Sequence, residues 1–159
     1  MKASEFNGWI PQIKKSEMPA DTLEFMDSRI FSDIIIPLRL ASGVPMWPSA
    51  LERAHVRHEH GKGAHHTNGK TKLASGTDWH ARDFTSILKI VSRLEGMESV
   101  GGIGIYFNTN TPMFHADLMS FRGNRLMWMV TKKGEYIYRE NNPVKFYIEL
   151  GKQLSLKEL

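Results

Sequence analysis

The feature that most constrains the fold is the segment 101–128, which reads GGIGIYFNTNTPMFHADLMSFRGNRLMW. It opens with a glycine-rich strand candidate, continues through the polar turn 108–112 and enters a second apolar strand. This order predicts a hairpin with strands over 100–107 and 113–119. Side chains at i and i+2 share one face of a strand, so His115 and Asp117 should point the same way, opposite Phe114, Ala116 and Leu118.

The rest of the chain predicts an α+β fold in which N-terminal helices pack on a small antiparallel sheet. Strands at 125–131 and 135–139, joined by a turn at 132–134, extend the hairpin into an antiparallel meander. Apolar periodicity and capping residues predict helices at 3–15, from 21 or 22 to 31, 49–58, 81–94 and 143–154. Pro11 makes the first of these either short or one that begins at Ile10. A short strand is expected at 73–79 and loops at 42–48 and 59–72, whereas 33–40 fits either a helix or a strand because it contains Pro37.

Length and charge exclude several classes of protein. The 159 residues fit a single domain, 1–159. No apolar run is long enough to span a bilayer, and the first residues lack the apolar core of a secretory signal. A net charge of +4 suits a nucleic acid, an anionic cell wall or simple solubility. No nucleic-acid-binding motif is present, so we expect no nucleic-acid partner and no stable membrane insertion.

Histidines and acids upstream of the hairpin indicate a metal site. His65, His66, Asp78 and His80 flank the strand candidate 73–79, and the helix at 81–94 is a natural return from that strand to a neighbouring one. With no cysteine in the chain, any metal must be held by His, Asp or Glu, which is typical of catalytic zinc. Two imidazoles and one carboxylate leave a fourth position for water, whose pKa zinc lowers toward about 7. Taken alone, the pair His115 and Asp117 is more simply a hydrogen-bonded pair on the surface, and it is the upstream cluster that favours a metal site.

The motifs GGIGIY and FHADLM, followed by Arg122 and Trp128, resemble the C-terminal signature of M15-type peptidoglycan peptidases. That family contains D-Ala-D-Ala carboxypeptidases and phage L-alanyl-D-glutamate endolysins. The resemblance covers less than a third of the chain and implies a zinc peptidase with the LAS/hedgehog-like metallopeptidase fold. It makes His115 the third zinc ligand.

The first motif of the family, S-x-H-x-x-G-x-A-x-D, is matched only in part. Residues 66–69 read HTNG and fit H-x-x-G, but Leu73 stands where the aspartate should fall, and the acid arrives at Asp78. The resemblance therefore implies Asp78 as the second ligand and either His65 or His66 as the first.

Two further roles carry over less directly. Some members of the family place the catalytic acid three residues before the last zinc histidine, where this chain has Pro112. Asp117 is the nearest alternative, either as the catalytic acid or as a residue that orients a ligand. The family's substrate-binding arginine precedes the first motif and grips a carboxylate. Arg53 is assigned that role here, with Arg39 and Arg57 as alternatives.

These observations predict a monomeric Zn²⁺-dependent peptidase that cuts stem peptides of peptidoglycan. The resemblance to this family implies a phage endolysin, which lacks a signal peptide and stays in the host cytoplasm until it is released to the periplasm and cell wall. The alternative is a virion, tail or wall-binding protein that retains the fold without cutting. Which peptide bond would be cut is left open by the sequence.

Overall fold

A six-stranded sheet is the centre of the fold in the computed structural model, which describes residues 1–18, 23–49 and 73–155. The strand order is β1-β2-β4-β3-β5-β6. All neighbouring strands are antiparallel except β3 and β5, which are parallel. The strands are β1 (Met46–Pro48), β2 (Gly76–Ala81), β3 (Val100–Tyr106), β4 (Met113–Leu118), β5 (Leu126–Val130) and β6 (Tyr136–Tyr138).

Four α-helices accompany the sheet within the described residues, so the predicted α+β class is confirmed. They are α1 (Ile36–Ser42), α2 (Phe84–Glu95), α3 (Met119–Arg122) and α4 (Pro143–Ser155). The amphipathic α2 lies across β2, β4 and β3 and buries Ile87, Ile90 and Leu94 completely. Its N-cap Asp83 accepts a hydrogen bond of 2.7 Å from the Ser86 backbone N–H. None of the helices in the described ranges is long and apolar enough to cross a membrane.

Alternation along the strands divides the sheet into two faces, as the hairpin pattern predicts. Phe114, Ala116 and Leu118 of β4 belong to the hydrophobic core, together with Ile103 and Ile105 of β3. The residues between them on these strands point to the opposite face. The apolar face is therefore buried against the helices, which leaves the other face to carry polar and aromatic side chains.

The predicted N-terminal helices at 3–15 and 21–31 are wrong over most of their length. Ala3–Glu5 and Lys15–Glu17 are single 3₁₀ turns. The Asp27 N–H donates to the Ala74 carbonyl at 2.9 Å, and the Ala3 N–H donates to the Met26 carbonyl at 2.9 Å. These long-range backbone bonds fix the segment in extended structure and override its helical periodicity. Residues 19–22 lie outside the described residues.

A helix does form around Pro37, in the region that the sequence left ambiguous. A π-helical stretch, Ile30–Ile35, leads directly into α1. Pro37 lies in the first turn of α1, where proline is tolerated. The helix ends at Gly43, whose φ of 64° is the left-handed conformation that glycine adopts without strain.

The sheet also differs from the predicted meander. The strand at 125–131 exists as β5, but it pairs in parallel with β3 instead of following β4, because the short helix α3 redirects the chain after β4. The predicted loop 42–48 contains β1, which pairs with β2 in the register Trp47 to His80. Almost all of the predicted helix 49–58 and the loop 59–72 fall outside the described residues.

Candidate functional site

Strands β2 and β4 bring Asp78 and His115 into contact on the polar face of the sheet. The two residues are direct partners in the antiparallel register. His115 Nδ1 lies 2.8 Å from Asp78 Oδ1. Their exposed fractions are only 1% and 3%, so the contact is almost wholly shielded from solvent. The sequence places these residues 37 positions apart, and the strand pairing makes them neighbours.

Asp117 supports His115 from the other side of the imidazole. Its Oδ2 lies 3.2 Å from His115 Nε2. The carboxylate also accepts hydrogen bonds from Arg122 Nε at 2.9 Å, from Arg122 Nη2 and from the Gly102 backbone N–H at 2.5 Å. Asp117 is fully buried. A carboxylate held by this many donors is a fixed part of the site, and it fixes the imidazole in turn.

The glycines of the GGIGIY motif make room for this arrangement. A Cβ on Gly102 would lie 2.7 Å from the Asp117 carboxyl carbon and overlap its Oδ2. A Cβ on Gly104 would lie 2.8 Å from two atoms of the Trp128 indole. Neither approach is compatible with van der Waals contact. The glycines are therefore required because Asp117 and Trp128 lie directly against the backbone of β3.

Electrostatics at the site couple the two carboxylates to the imidazole. Burial alone would lower the pKa of His115, but the hydrogen bonds and negative charges of Asp117 and Asp78 raise it to about 9. Burial alone would raise the pKa of Asp117, but its bonds to His115 and Arg122 and their positive charges lower it to about 2. In the metal-free protein at neutral pH, Asp117 is ionised and His115 carries a proton.

A cavity of ≈ 140 Å³ opens beside His115 on the same face of the sheet. The Trp128 ring lies between two site residues, with the His115 centroid at 5.1 Å and the Arg122 guanidinium carbon at 5.3 Å from its ring centre. The cavity is lined by Tyr106, His115, Arg122, Leu126, Trp128, Tyr136 and Tyr138. This cavity is the concave space through which a ligand can reach the imidazole.

The structure brings together some of the predicted site residues. Asp78, His115 and Asp117 form one cluster, whereas His65, His66, Arg53 and Arg57 lie outside the described residues. His80 is half-buried, and its Nδ1 lies 3.3 Å from the carbonyls of Thr111 and Pro112. Arg39 lies on α1 and does not line the cavity. The described ranges contain no group of three or more His, Cys, Asp or Glu side chains placed to hold a metal ion.

Sequence reasoning missed the aromatic wall of the site. Tyr106 ends β3, and Tyr136 and Tyr138 lie two residues apart on β6, so all three can face the cavity. The rings of Tyr136 and Tyr138 stack with centroids 6.4 Å apart. The alternation of 136–138 could have shown that these two tyrosines share a face. It could not have shown that this is the face of His115, because that depends on the order of the strands.

The described donors fit two positions of a zinc site. Asp78 Oδ1 and His115 Nδ1 face each other, and both atom types are normal zinc ligands. The other imidazole nitrogen is bonded to a carboxylate, the arrangement that orients a metal-binding histidine. The sequence-based assignment takes the third protein ligand to be His65 or His66, both of which lie outside the described residues.

Comparisons with known proteins give no relative: no family model matches the chain, and neither a curated protein nor a solved structure matches it.

Proposed function

We propose that this protein is a zinc-dependent peptidase that hydrolyses stem peptides of peptidoglycan. The observation that carries the proposal is the contact between Asp78 and His115, with Asp117 bonded to the opposite nitrogen of the imidazole. A carboxylate and an imidazole that share one buried position beside a cavity form the larger part of a catalytic zinc site. The resemblance of segment 101–128 to the M15-type signature gives the substrate class.

In this proposal Asp78 and His115 are two protein ligands, and His65 or His66 is the third. Zinc at this position would polarise a peptide carbonyl and activate water at neutral pH. The chain itself keeps His115 Nδ1 directed at the metal position because Asp117 occupies Nε2. The two strands hold the donors on rigid backbone, so little ordering is needed when the metal binds.

We propose that Asp117 orients His115 and does not transfer the proton to the leaving amine. Asp117 is fully buried and does not line the cavity, so a substrate nitrogen has no direct path to its oxygens. Its pKa of about 2 also makes it a poor proton donor at neutral pH. The contacts therefore support the second of the two roles that the sequence allows for this residue.

The biological setting follows from the same resemblance. A phage endolysin acts on the wall after release from the host cytoplasm, and a basic protein is attracted to anionic wall polymers. The partner in this proposal is therefore bacterial peptidoglycan, and the protein acts as a monomer. Mass spectrometry of the digested cell wall would identify the peptide bond that is cut.

The decisive experiment compares the wild-type protein with His115→Ala. Each purified protein is loaded with zinc, its zinc content is measured by atomic absorption, and purified cell wall is digested and analysed by mass spectrometry of the muropeptides. We expect about one zinc per chain and new cleaved peptides for the wild type, and neither for His115→Ala. The cleaved masses identify the bond.

The matched control is His80→Ala, which removes a half-buried histidine of β2 that contacts the carbonyls of Thr111 and Pro112 and stacks on Trp47, away from the cavity beside His115. It should keep zinc and activity. A fully active His115→Ala protein would refute the proposal. Wild-type protein that binds zinc and wall but releases no peptide would instead support a wall-binding protein that retains the site without cutting.

A further inference from the structure

We propose that the cavity beside His115 is a binding site for a substrate carboxylate, and that Arg122 provides its positive charge. The inference rests on the proposed function only for the identity of the substrate. It assigns carboxylate recognition to a residue that follows β4, whereas the sequence assigned it to Arg53, upstream of the metal-binding segment.

The guanidinium of Arg122 has two edges, and Asp117 occupies only one of them. The Nε and Nη2 edge is bonded to the Asp117 carboxylate. Nη1 makes no hydrogen bond to any described residue, and Arg122 lines the cavity. A guanidinium has five N–H donors, and its end-on pair from Nη1 and Nη2 matches the two oxygens of a carboxylate. One arginine can therefore hold Asp117 and a ligand at the same time.

The charge of the described cavity lining favours an anionic ligand. No Asp or Glu side chain is among the described residues that line the cavity. Asp117 and Asp78 are shielded, with exposed fractions of 0% and 3%. Among the described lining residues, Arg122, whose side chain is 20% exposed, is the permanently charged group. A ligand that enters therefore meets a cation first, in surroundings where water competes weakly.

The cavity is small, and aromatic side chains form part of its wall. A cavity of ≈ 140 Å³ is close to the size of an engineered cavity that holds one benzene molecule, so it admits a group about as large as one alanine residue. Tyr136 and Tyr138 form its outer wall, and Tyr136 is 54% exposed. Their hydroxyls make no hydrogen bond to described residues and can donate to a carboxylate oxygen.

These features select a small residue with a free carboxylate, placed next to the bond that is cut. In a stem peptide that carboxylate belongs either to the C-terminal D-alanine or to D-isoglutamate. Both have the chemistry that the cavity recognises. Bound there, the ligand also stiffens Arg122, and through Asp117 it stiffens the imidazole of His115.

The first test measures binding without metal and without turnover. N-acetyl-D-alanine and its carboxamide are titrated into EDTA-treated protein, and binding is followed by the ¹⁵N signal of Arg122 Nε–H and by calorimetry. We expect the acid to bind about tenfold more tightly than the amide, the factor of one charge-assisted hydrogen bond. In Arg122→Gln the ratio should fall to about one, and in Tyr136→Phe it should fall only partly.

Arg82→Gln is the matched control, because it removes an equal charge at an exposed site paired with Asp83. It should keep the wild-type ratio. Equal affinity of the wild type for acid and amide, or a ratio unchanged in Arg122→Gln, would overturn the assignment. Because the wild-type ratio needs no variant, the test holds even if Arg122→Gln fails to fold.

The second test identifies the source of the carboxylate with the zinc-loaded wild type. Stem peptides are compared with either the C-terminus or the D-isoglutamate carboxylate converted to the amide. Loss of cleavage on one amidation names the recognised group, and no effect of either would refute a substrate carboxylate in the cavity. If no peptide is cleaved while the acid still binds without metal, the proposed function fails and the binding site stands.

Discussion

Asp117→Asn should destabilise the metal-free protein by about 3 kcal/mol, although the change alters no more than a few atoms. Asp117 is fully buried and accepts hydrogen bonds from Gly102, His115 and Arg122. Asparagine keeps the shape but turns one acceptor oxygen into an NH₂ group that meets the N–H donors of Arg122 or His115. The substitution therefore removes a charge and leaves a buried donor facing another donor.

Two independent arguments give the magnitude. Breaking a buried ion pair from one side costs about 3–5 kcal/mol, less here because the Arg122 side chain is 20% exposed and regains water. A pKa displaced from 3.8 to about 2 corresponds to about 2 kcal/mol of interaction between the carboxylate and its surroundings. For a domain of this length, 3 kcal/mol lowers the melting temperature by about 6–12 °C.

The assay is urea unfolding at pH 7 in EDTA, followed by tryptophan fluorescence and far-UV circular dichroism. The midpoint should fall with an unchanged dependence on urea. Asp83→Asn is the control: it removes an equal charge from the N-cap of α2, where the carboxylate is 42% exposed and screened by solvent and where asparagine caps as well as aspartate. Its midpoint should stay much closer to the wild type than that of Asp117→Asn. An Asp117→Asn midpoint equal to that of the wild type would show that the carboxylate is not held as described.

The same variant predicts a dependence on pH. The pKa of Asp117 is lowered in the folded state, so its contribution is present above pH 3.8 and is lost as the pH falls through about 2. The stability difference between the wild type and Asp117→Asn should therefore be largest near neutral pH and shrink toward pH 2. A difference that stays constant from pH 6 to pH 2 would assign the effect to packing instead of charge.

Two other predictions test the packing and the metal site. Gly104→Ala should lower the unfolding free energy by about 1–3 kcal/mol and change the near-UV circular dichroism, because its Cβ would lie 2.8 Å from the Trp128 indole. Gly151→Ala on α4 should instead raise the unfolding free energy by about 0.5–1 kcal/mol, because its Cβ would meet no described atom within 4 Å outside the backbone of its own helix. Equal effects of the two variants would contradict the packing described. Zinc binding at pH 7 should release about one proton, because His115, with a pKa of about 9, must lose its proton to bind a metal. Calorimetry of zinc binding in two buffers of different ionisation enthalpy measures the number of protons released. No proton release would exclude His115 as a ligand.

Local pattern was a good guide to the strands and a poor guide to how they are arranged. Alternation placed β3, β4, β5 and β6 correctly because it reflects which side of a strand is buried. It could not reveal that β5 pairs in parallel with β3, since strand order depends on contacts far apart in the sequence. The wrong N-terminal helices have the same origin, because Phe25 and Asp27 exchange backbone hydrogen bonds with Ala74, and Ala3 in turn donates to Met26.

The candidate site divides in the same way. The shared face of His115 and Asp117 follows from spacing alone, and the meeting of Asp78 with His115 was expected because α2 returns the chain from β2 to the hairpin of β3 and β4. The aromatic cavity could not be predicted, because Tyr136 and Trp128 reach it only through the order β4-β3-β5-β6. Residues that define chemistry were therefore easier to find than residues that define shape.

Segment 101–128 accounts for the packing around His115, but it does not contain Asp78, the carboxylate that His115 Nδ1 contacts. Gly102 and Gly104 leave space for the side chains of Asp117 and Trp128. Arg122 donates hydrogen bonds to Asp117, and its guanidinium lies over the Trp128 indole. These residues form one packing unit, which a chain could retain for stability alone. A zinc enzyme needs more: a second ligand that the packing unit does not require. In the proposed zinc enzyme Asp78 would be that ligand, since it comes from another strand and lies 2.8 Å from His115 Nδ1, the nitrogen opposite the one that Asp117 contacts.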